Sequence, residues 1–518
     1  NVRGRIAGGL VGAVDSFSLW YSYATGDVTG TSSAGGLVGE YNHGTMWYSY
    51  ATSKVTGGTT GGLIGDSNYV TVIRSYWDMD STGQAQACGG WGAAVCSSAA
   101  GAEPIGLRTA DAFRQDSYGF FNFGNDWYMV EGATRPFLRF EYATSIGNAH
   151  QLQLVNIDPS ASYTLAHDID MSVADGSRAS GMWSSQGFSP IGAYDHDVPA
   201  VAFTGRFDGL GHVISGLSID RTTDYVGLFG YVGNGGTVRN LGLTNAAVSG
   251  GRYTGGLVGG NQGTIANVYA TGAVKGEDDT GGLVGVNQGT ITNAYASGTV
   301  EGSDNTGGLV GYNLNGDISN VYATGEAMSG GTRGGLVGWN DGTVTGSFYA
   351  TTDASGNAIN SSAGGGSPDG MTGKRLDELR QLSTFADAGW SISDRGGDGT
   401  AWRIYEGSTV PWLRTFLTPI TVTVAGGGSK VYDGNTSASG AYTQSNASAS
   451  LDGTAVYVLD GKNAGNRTLN VSGLYSGDQR GYDISVVGGS YQVTPKALDV
   501  TGLAAEDKVY DGTTRATW

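Results

Sequence analysis

Asp278, Asp279, Glu301 and Asp304 are the residues of this 518-residue chain whose type and spacing come closest to a reacting set. Two carboxylates at a defined separation hydrolyse a glycosidic bond, one as acid and the other as base or nucleophile. The plainer reading is solvated charge, because all four lie between glycines in stretches that read as loop tips. Asp168, Asp170 and Asp208 offer oxygen ligands for calcium or hold turns, and without a regular acidic repeat around them the turn reading is preferred. The histidines, His43, His150, His167, His196 and His212, are scattered, and no two stand at metal-ligand spacing. No H-E-x-x-H, nucleophile elbow or Walker loop occurs. Cys88 and Cys96 share one glycine-rich loop, which suits a disulfide in an oxidising compartment. With no histidine nearby they make a poor zinc site. No catalytic residue, metal site or cofactor is therefore expected.

What must position these residues is a repeat. A Gly-Gly-Leu-Val-Gly signature starts at Gly8, Gly35, Gly61, Val226 (degenerate), Gly255, Gly281, Gly307 and Gly334, mostly 26 or 27 residues apart. A fixed period of this length marks stacked-repeat architecture. In 255–350 each unit offers Leu-Val, then Ile-x-Asn-x-Tyr-Ala, then an Ala-Val-like pair, with Gly and Asn between them at the turns. Three short strands per unit, with no room for helices, predict an all-β parallel β-helix of about 26-residue coils. Coils stack about 4.8 Å apart, so equivalent residues form columns.

Three columns follow as structural ladders. Leu257, Leu283, Leu309 and Leu336 form a buried one. Tyr269, Tyr295, Tyr322 and Tyr349 form a stacked aromatic one. Asn267, Asn293 and Asn320 form the third, buried at a turn and linked amide to amide. The tyrosines and asparagines also suit carbohydrate contact, but ladder packing is the simpler role. Positions that vary inside the frame are better candidates for a working face. Gly260, Val286, Tyr312 and Trp339 share one slot and grow in size along the stack, and Lys275, Glu301 and Met328 vary near the unit's end. Exposed Tyr312 and Trp339, with Asp278, Asp279, Asp304 and Asn305 at the loops, would form a ligand-contact face for sugars. The alternative is that both rings cover the end of the core.

Composition limits the partners. Glycine supplies 92 residues and proline 9, without collagen's strict period, which fits short strands and tight turns. Lys plus Arg is 28 against 46 Asp plus Glu, a formal charge of −18. Such a chain repels nucleic acid and anionic membranes. No apolar stretch is long enough to span a bilayer, so membrane insertion is not expected. The chain shows no signal peptide, begins within a repeat and ends in an unfinished unit, Lys508 to Trp518, so it reads as an interior piece of a larger polypeptide.

The organisation is duplicated. Coils at 1–80 are followed by a capping segment with the cysteine pair, 81–145. A second coil block, 146–350, is followed by a second capping segment, 351–417. Both segments carry W-x3-E-G-x3-P-x-L-R, from Trp127 to Arg139 and from Trp402 to Arg414. A helix over Gly373 to Phe385, with Leu376, Leu379 and Leu382, is predicted to plug the open end that a solenoid must cover. An Ig-like β-sandwich is predicted at 418–496, with 497–518 opening a further unit. Its mark is Lys-Val-Tyr-Asp-Gly at Lys430, returning at Lys508.

The Gly-Gly-Leu-Val-Gly-x-Asn units resemble GLUG-motif repeats, and Lys-Val-Tyr-Asp-Gly resembles the YDG repeats of bacterial filamentous-haemagglutinin-like exoproteins. The resemblance implies a secreted, cell-surface adhesin or extracellular matrix protein without catalysis. Its partners would be host or bacterial surface glycans or proteins, or further copies of itself. Parallel β-helices also house polysaccharide lyases and glycoside hydrolases, and a passive stalk presenting a distal binding domain is a third reading.

Overall fold

Strand far outweighs helix, 47% against 7%, and the chain winds into a β-solenoid of about 13 turns with coils of about 27 residues. The computed structural model describes residues 1–90, 96, 98, 100–192, 201–502, 504 and 507–515. His196 and parts of the cysteine loop and of the terminal YDG unit lie outside them. Two compact units divide at 390/391, inside the second capping segment.

In the first unit each coil of the second block contributes to three parallel sheets. One holds Phe229–Val232, Val258–Asn261, Val284–Asn287, Val310–Asn313, Val337–Asn340 and Gly365–Gly366. The second carries the long strands Thr237–Ser249 and Thr264–Lys275, then Thr290–Ala296 and Asp317–Ala323. The third is built from Thr254–Gly255, Asp278–Gly281, Asp304–Gly307 and Arg333–Gly334. The glycines of the signature let backbone lie on backbone. A Cβ on Gly281 would stand 2.1 Å from Val284 O and 2.7 Å from Gly311 N. Leu257, Leu283, Leu309 and Leu336 are each fully buried in one continuous core.

Two of the expected ladders differ from their sequence reading. Tyr269, Tyr295 and Tyr322 stack at 5.1 and 4.9 Å with rings within 7° of parallel. Phe348, not Tyr349, pairs with Tyr322, while Tyr349 pairs with Ala323 and turns into the core. Counting from Gly334 without a gap puts Phe348 in the tyrosine slot. Asn267 and Asn293 are half-buried, on left-handed backbone with φ of 54° and 51°, at bends within strands. Asn267 Nδ2 donates to Asn240 Oδ1 (3.1 Å), and Asn293 Nδ2 to Asn267 Oδ1 (3.2 Å). Asn320 shares the bend, with φ of 54°.

A second asparagine ladder is the buried one. Asn261, Asn287, Asn313 and Asn340 are at most 1% exposed, and each Nδ2 donates to the next Oδ1 at 2.8 to 2.9 Å. Asn340 passes the chain on to Ser367 O (2.9 Å). The same side chains bind the backbone of Gly263, Gly289 and Gly342, fixing the turn out of the first sheet.

The predicted helix over 373–385 is broken. Met371–Lys374 continues the long sheet, Glu378–Arg380 is a 3-10 turn, and only Leu382–Ala386 is α-helical. Met371 extends the core, while Phe385 and Trp390 lie against Phe348 and the outer side of Tyr322. The segment therefore covers a flank of the tyrosine ladder as well as the end of the stack.

The first block builds its own sheets and its own core, around Leu37, Leu63, Met46 and Val72. Its aromatic capping cluster sets Tyr118, Phe121 and Trp127 on Tyr50 and Tyr76. A buried Arg135–Asp78 ion pair fastens this cap to the coils. Cys88 and Cys96 are disulfide-bonded. In the second unit, Trp402–Arg403 pairs antiparallel with Trp412–Leu413, as Trp127–Tyr128 does with Phe137–Leu138 in the first. The sandwich that follows has a three-stranded and a four-stranded sheet around Val422, Leu469 and Val493. Lys430 closes the YDG turn, its Nζ donating to Asp433 Oδ1, Asn435 Oδ1 and the carbonyls of Asn435 and Ser437 at 2.8 to 3.0 Å.

Candidate functional site

On the outward face of the first sheet, one column of side chains reads Tyr231, Gly260, Val286, Tyr312, Trp339 and Gly365 in successive coils. Two small residues thus stand between large ones. A Cβ on Gly260 would already lie 2.7 Å from the Tyr231 ring and 2.9 Å from the Tyr225 ring. The two rings therefore cover Gly260, and the open cleft beside them, about 530 Å³, is lined from this column by Tyr231, Val286 and Tyr312.

Its two flanks come from neighbouring columns. On one side stand Tyr225 and Tyr253, stacked at 4.6 Å. They begin a column of left-handed residues, with φ of 57° at Tyr225, 59° at Tyr253, 56° at Asp279 and 45° at Asn305. On the other side Gln262 Nε2 donates to Gln288 Oε1 (2.8 Å), both amides being exposed beside the buried asparagine ladder. Among the described residues that line the cleft none is charged, and the Arg252 guanidinium lies 5.0 Å from the centre of the Tyr253 ring.

Beyond the cleft, the Tyr312 hydroxyl and Trp339 Nε1 both donate to Asp341, at 2.7 and 3.0 Å. The Asp341 bond, with some burial, pushes the Tyr312 phenol up to about 12. Trp339 is 38% exposed, so both rings stand at the surface rather than sealing the core.

The acidic residues separate. Asp279 is 2% exposed, a correction to its reading as a solvated loop tip. Its left-handed backbone turns the carboxylate under the coil, where Asn305 Nδ2 donates to it (2.8 Å) and Arg252 lies at 3.3 Å. Burial raises its pKa, against the opposing pull of Asn305 and Arg252. Asp278 faces Arg252 at 3.7 Å, and Glu301 pairs with Lys275 at 2.9 Å. Asp304 accepts backbone N–H bonds from Thr332 (2.6 Å) and Asn305 (2.9 Å), which lower its pKa. These carboxylates are committed to cations and turns.

Asp208 accepts from Arg206, Arg239, Asn240 and the Leu210 N–H, Asp170 from the Ser172 N–H, and Asp168 from the Val213 N–H. Among the described residues no group of three or more acidic, histidine or cysteine side chains is arranged to hold a metal ion. No described helix is long and apolar enough to cross a membrane. His43 lies by Asp15, and His212 by Asp168. His150 Nδ1 stands 2.9 Å from both the Tyr23 hydroxyl and Glu141 Oε2, a cluster not visible in the sequence, because Tyr23 is 127 residues from His150 and 118 from Glu141. In the second unit a larger cleft, about 820 Å³, is lined by charges of both signs, among them Asp394, Asp398, Arg395 and Glu406. It offers no comparable column of aromatic side chains.

Comparison with known proteins bears on the same coils. The family described as the GLUG motif matches residues 250–275, 278–301 and 302–327, which include Val286 and Tyr312 of the cleft. Halomucin of Haloquadratum walsbyi is 46% identical over 114 residues, 21% of this chain and 1% of that protein. A protein of Evansella cellulosilytica described as a Gly-rich membrane protein is 44% identical over 86 residues, 16% of this chain and 9% of its own length. The chain thus spans only a small part of either relative. No solved structure matches. The second coil block carries three GLUG motifs, which supply Tyr253, Val286 and Tyr312 to the cleft, while Tyr225 and Tyr231 lie outside them.

Proposed function

We propose that this chain is part of a surface-associated repeat protein whose coils serve adhesion, holding extended surface polymers without cleaving them. The observation that carries the reading is the aromatic cleft on the outward face of the coils. Clefts that combine aromatic walls with a few amides and hydroxyls are binding sites by default. Surface placement draws support from the relative described as a membrane protein and from the repeats shared with halomucin. Hydrolysis of a glycan would need two carboxylates facing the substrate. Here Asp279 is buried against Asn305 and Arg252, and Asp278 also faces Arg252, which favours binding over cleavage.

The test is retention of bacterial and host polysaccharides, and of intact cells, on the immobilised chain, with soluble products read by mass spectrometry. Retained, intact polymer is the expected result. Shortened or unsaturated oligosaccharides would replace adhesion by catalysis, and retention of nothing would leave the chain a stalk.

A further inference from the structure

We infer that the β-sandwich at 418–496 is a carrier of N-linked sugar, with Asn446 its acceptor in the folded protein and Asn435 the second. The sandwich belongs to the second unit, so neither the cleft nor the adhesion reading bears on it.

An asparagine followed two places on by serine or threonine, with no proline between, is the acceptor motif for N-glycosylation. The motif is unevenly spread along this chain. Of the five asparagines in 418–496, four stand in it: Asn435-Thr436-Ser437, Asn446-Ala447-Ser448, Asn466-Arg467-Thr468 and Asn470-Val471-Ser472. Of the 21 asparagines that precede them, one does, Asn360-Ser361-Ser362. Serine and threonine are common in both regions, so the contrast is not one of composition.

The fold separates these five. Asn360 is 5% exposed, and both hydrogens of its amide are used, on the carbonyls of Gly325 (2.8 Å) and Ala350 (3.0 Å). Its Oδ1 accepts the Ala327 N–H (3.0 Å). The four sandwich asparagines are all exposed. Asn466 and Asn470 lie on the solvent face of the paired strand Gly465–Tyr475, where a transferase takes hold of the backbone only by unpairing it. Asn435 and Asn446 lie in turns outside the strands.

Asn446 is the better prepared of the two. Its loop joins Tyr442–Gln444 to Asp452–Leu459, and the base of that loop is fixed. Ser445 exchanges hydrogen bonds with Thr421 at 2.9 and 3.0 Å, and Ala449 is buried. At the exposed tip the Ser448 N–H (3.1 Å) and Oγ (2.7 Å) both donate to Asn446 Oδ1. The two side chains that define the motif thus already form one unit. Asn435 repeats the arrangement, its Oδ1 accepting from the Ser437 N–H (3.1 Å) and Oγ (2.8 Å). There Lys430 Nζ also donates to the same oxygen (3.0 Å), tying the amide into the YDG turn.

The chemistry of transfer suits this geometry. A carboxamide nitrogen is a weak nucleophile, because its lone pair is delocalised into the carbonyl. In the transfer, Nδ2 attacks the anomeric carbon of a phosphate-activated sugar. The C–N bond forms, the C–O bond to phosphate breaks with its electron pair leaving on the phosphate, and one Nδ2 proton passes to a base of the transferase. As that proton leaves, negative charge builds on Oδ1, where the two Ser448 donors already point.

The experiment treats the folded whole chain with transferases specific for Asn-x-Ser/Thr in two arms. One supplies UDP-glucose to a soluble enzyme, the other a polyprenyl-diphosphate oligosaccharide to a membrane enzyme. Mass spectrometry of protease digests maps the added sugar, and a reference peptide carrying the motif shows that each enzyme is active. Expected in at least one arm is sugar on Asn446, less on Asn435, and none on Asn360, Asn466 or Asn470; the arm that succeeds identifies the donor. Ser448→Ala should lower modification of Asn446 about a hundredfold or more, as a site built to bond a hydroxyl rejects the analogue without it. Asn435 should be unaffected in that variant, and Ser448→Thr should restore Asn446. Circular dichroism checks that both variants fold. An unmodified Asn446 in both arms overturns the inference. So does sugar on Asn360, Asn466 or Asn470 at the level of Asn446, or undiminished modification of a folded Ser448→Ala chain.

Discussion

The two coil blocks share a signature and a coil length, yet they are held together by different chemistry. In the second block the position after Gly-Gly-Leu-Val-Gly-x is asparagine in coil after coil, and those amides form one buried hydrogen-bonded chain. In the first block the corresponding column reads Val14, Tyr41, Ser67. Order there comes instead from rings, with Trp20 on Trp47 at 5.0 Å, Tyr21 on Tyr48 at 5.3 Å and Tyr23 on Tyr50 at 5.2 Å. Even the left-handed bend filled by Asn267 and Asn293 is taken by Tyr21, Tyr48 and Arg74. The outward slot differs most: Ala13, Glu40 and Asp66 in the first block, Gly260, Val286 and Tyr312 in the second. The backbone coil is thus indifferent to how its columns are filled, provided each column is filled consistently. That leaves the outward slot free to carry aromatic rings in one block and carboxylates in the other.

The largest expected difference lies in how the caps are fastened. The first block's cap depends on Arg135 and Asp78, whose side chains are 0% and 1% exposed, with Thr109 also donating to Asp78. The second block's flank is closed by Phe385 and Trp390, whose indole donates to Gly346 O (2.6 Å). Arg135→Ala leaves a buried carboxylate without its cation and should cost about 3–5 kcal/mol. Urea unfolding followed by fluorescence, together with amide exchange, should show the loss in the first block, with 255–350 still protected. A cost below about 1 kcal/mol would mean that its rings hold this cap as well.

A smaller effect tests the two kinds of ladder. Asn287→Ala removes the acceptor for Asn261, the donor for Asn313 and the clasp on the Gly289 N–H, all in a dry interior. With about 1–3 kcal/mol for each group left unsatisfied and partial relaxation, a loss of about 2–4 kcal/mol is expected. Tyr41→Phe in the first block keeps the ring and removes a hydroxyl shared between Phe17 O (2.6 Å) and Thr45 O (3.2 Å), and should cost about 1 kcal/mol. Paired thermal melts check both. Equal costs would contradict the view that the second block is amide-held and the first ring-held.

What was legible in the sequence follows the same division. The period, the leucine column and the start of the tyrosine column were readable because identical residues recur at identical places. Tyr349 was misplaced because Phe348 and Tyr349 are adjacent aromatics and only one of them keeps the register. The Asn261 ladder carries an equally regular signal, but sequence alone does not separate it from the asparagine of the Ile-x-Asn-x-Tyr segment, since both recur once per coil. The cleft was only half visible. Its slot was recognised as variable, but its first wall, Tyr231, belongs to the degenerate copy, and its flank, Tyr225 and Tyr253, comes from a different part of each coil. A cleft whose walls come from different parts of successive coils has no motif of its own.

The smallest effect concerns two aspartates of the second block whose pH dependences run in opposite senses. Burial works against the Asp208 carboxylate, but bonds from Asn240, Arg206, the Leu210 N–H and Arg239 hold its pKa down to about 2. Its folded pKa lies below the ordinary carboxylate value, so its stabilisation is present above that value and is lost as pH falls toward about 2. Asp279 is the reverse: burial, only partly offset by Asn305 and Arg252, raises its pKa, so its contribution is lost as pH rises through the ordinary carboxylate value. Asp208→Asn should therefore flatten the acid limb of the stability curve and cost stability at neutral pH. Asp279→Asn should remove the opposing drift. It places an amide next to Asn305 on backbone where asparagine is at ease, and extends the first-to-second-block contrast by turning a charged column position into one more amide rung. Its stability at neutral pH should match or exceed the parent by less than about 1 kcal/mol, since the Arg252 partner is half-exposed and worth little. A loss of more than that, measured by urea unfolding at pH 7, would make Arg252–Asp279 a structural ion pair, and the second block would then depend on charge as the first does at Arg135.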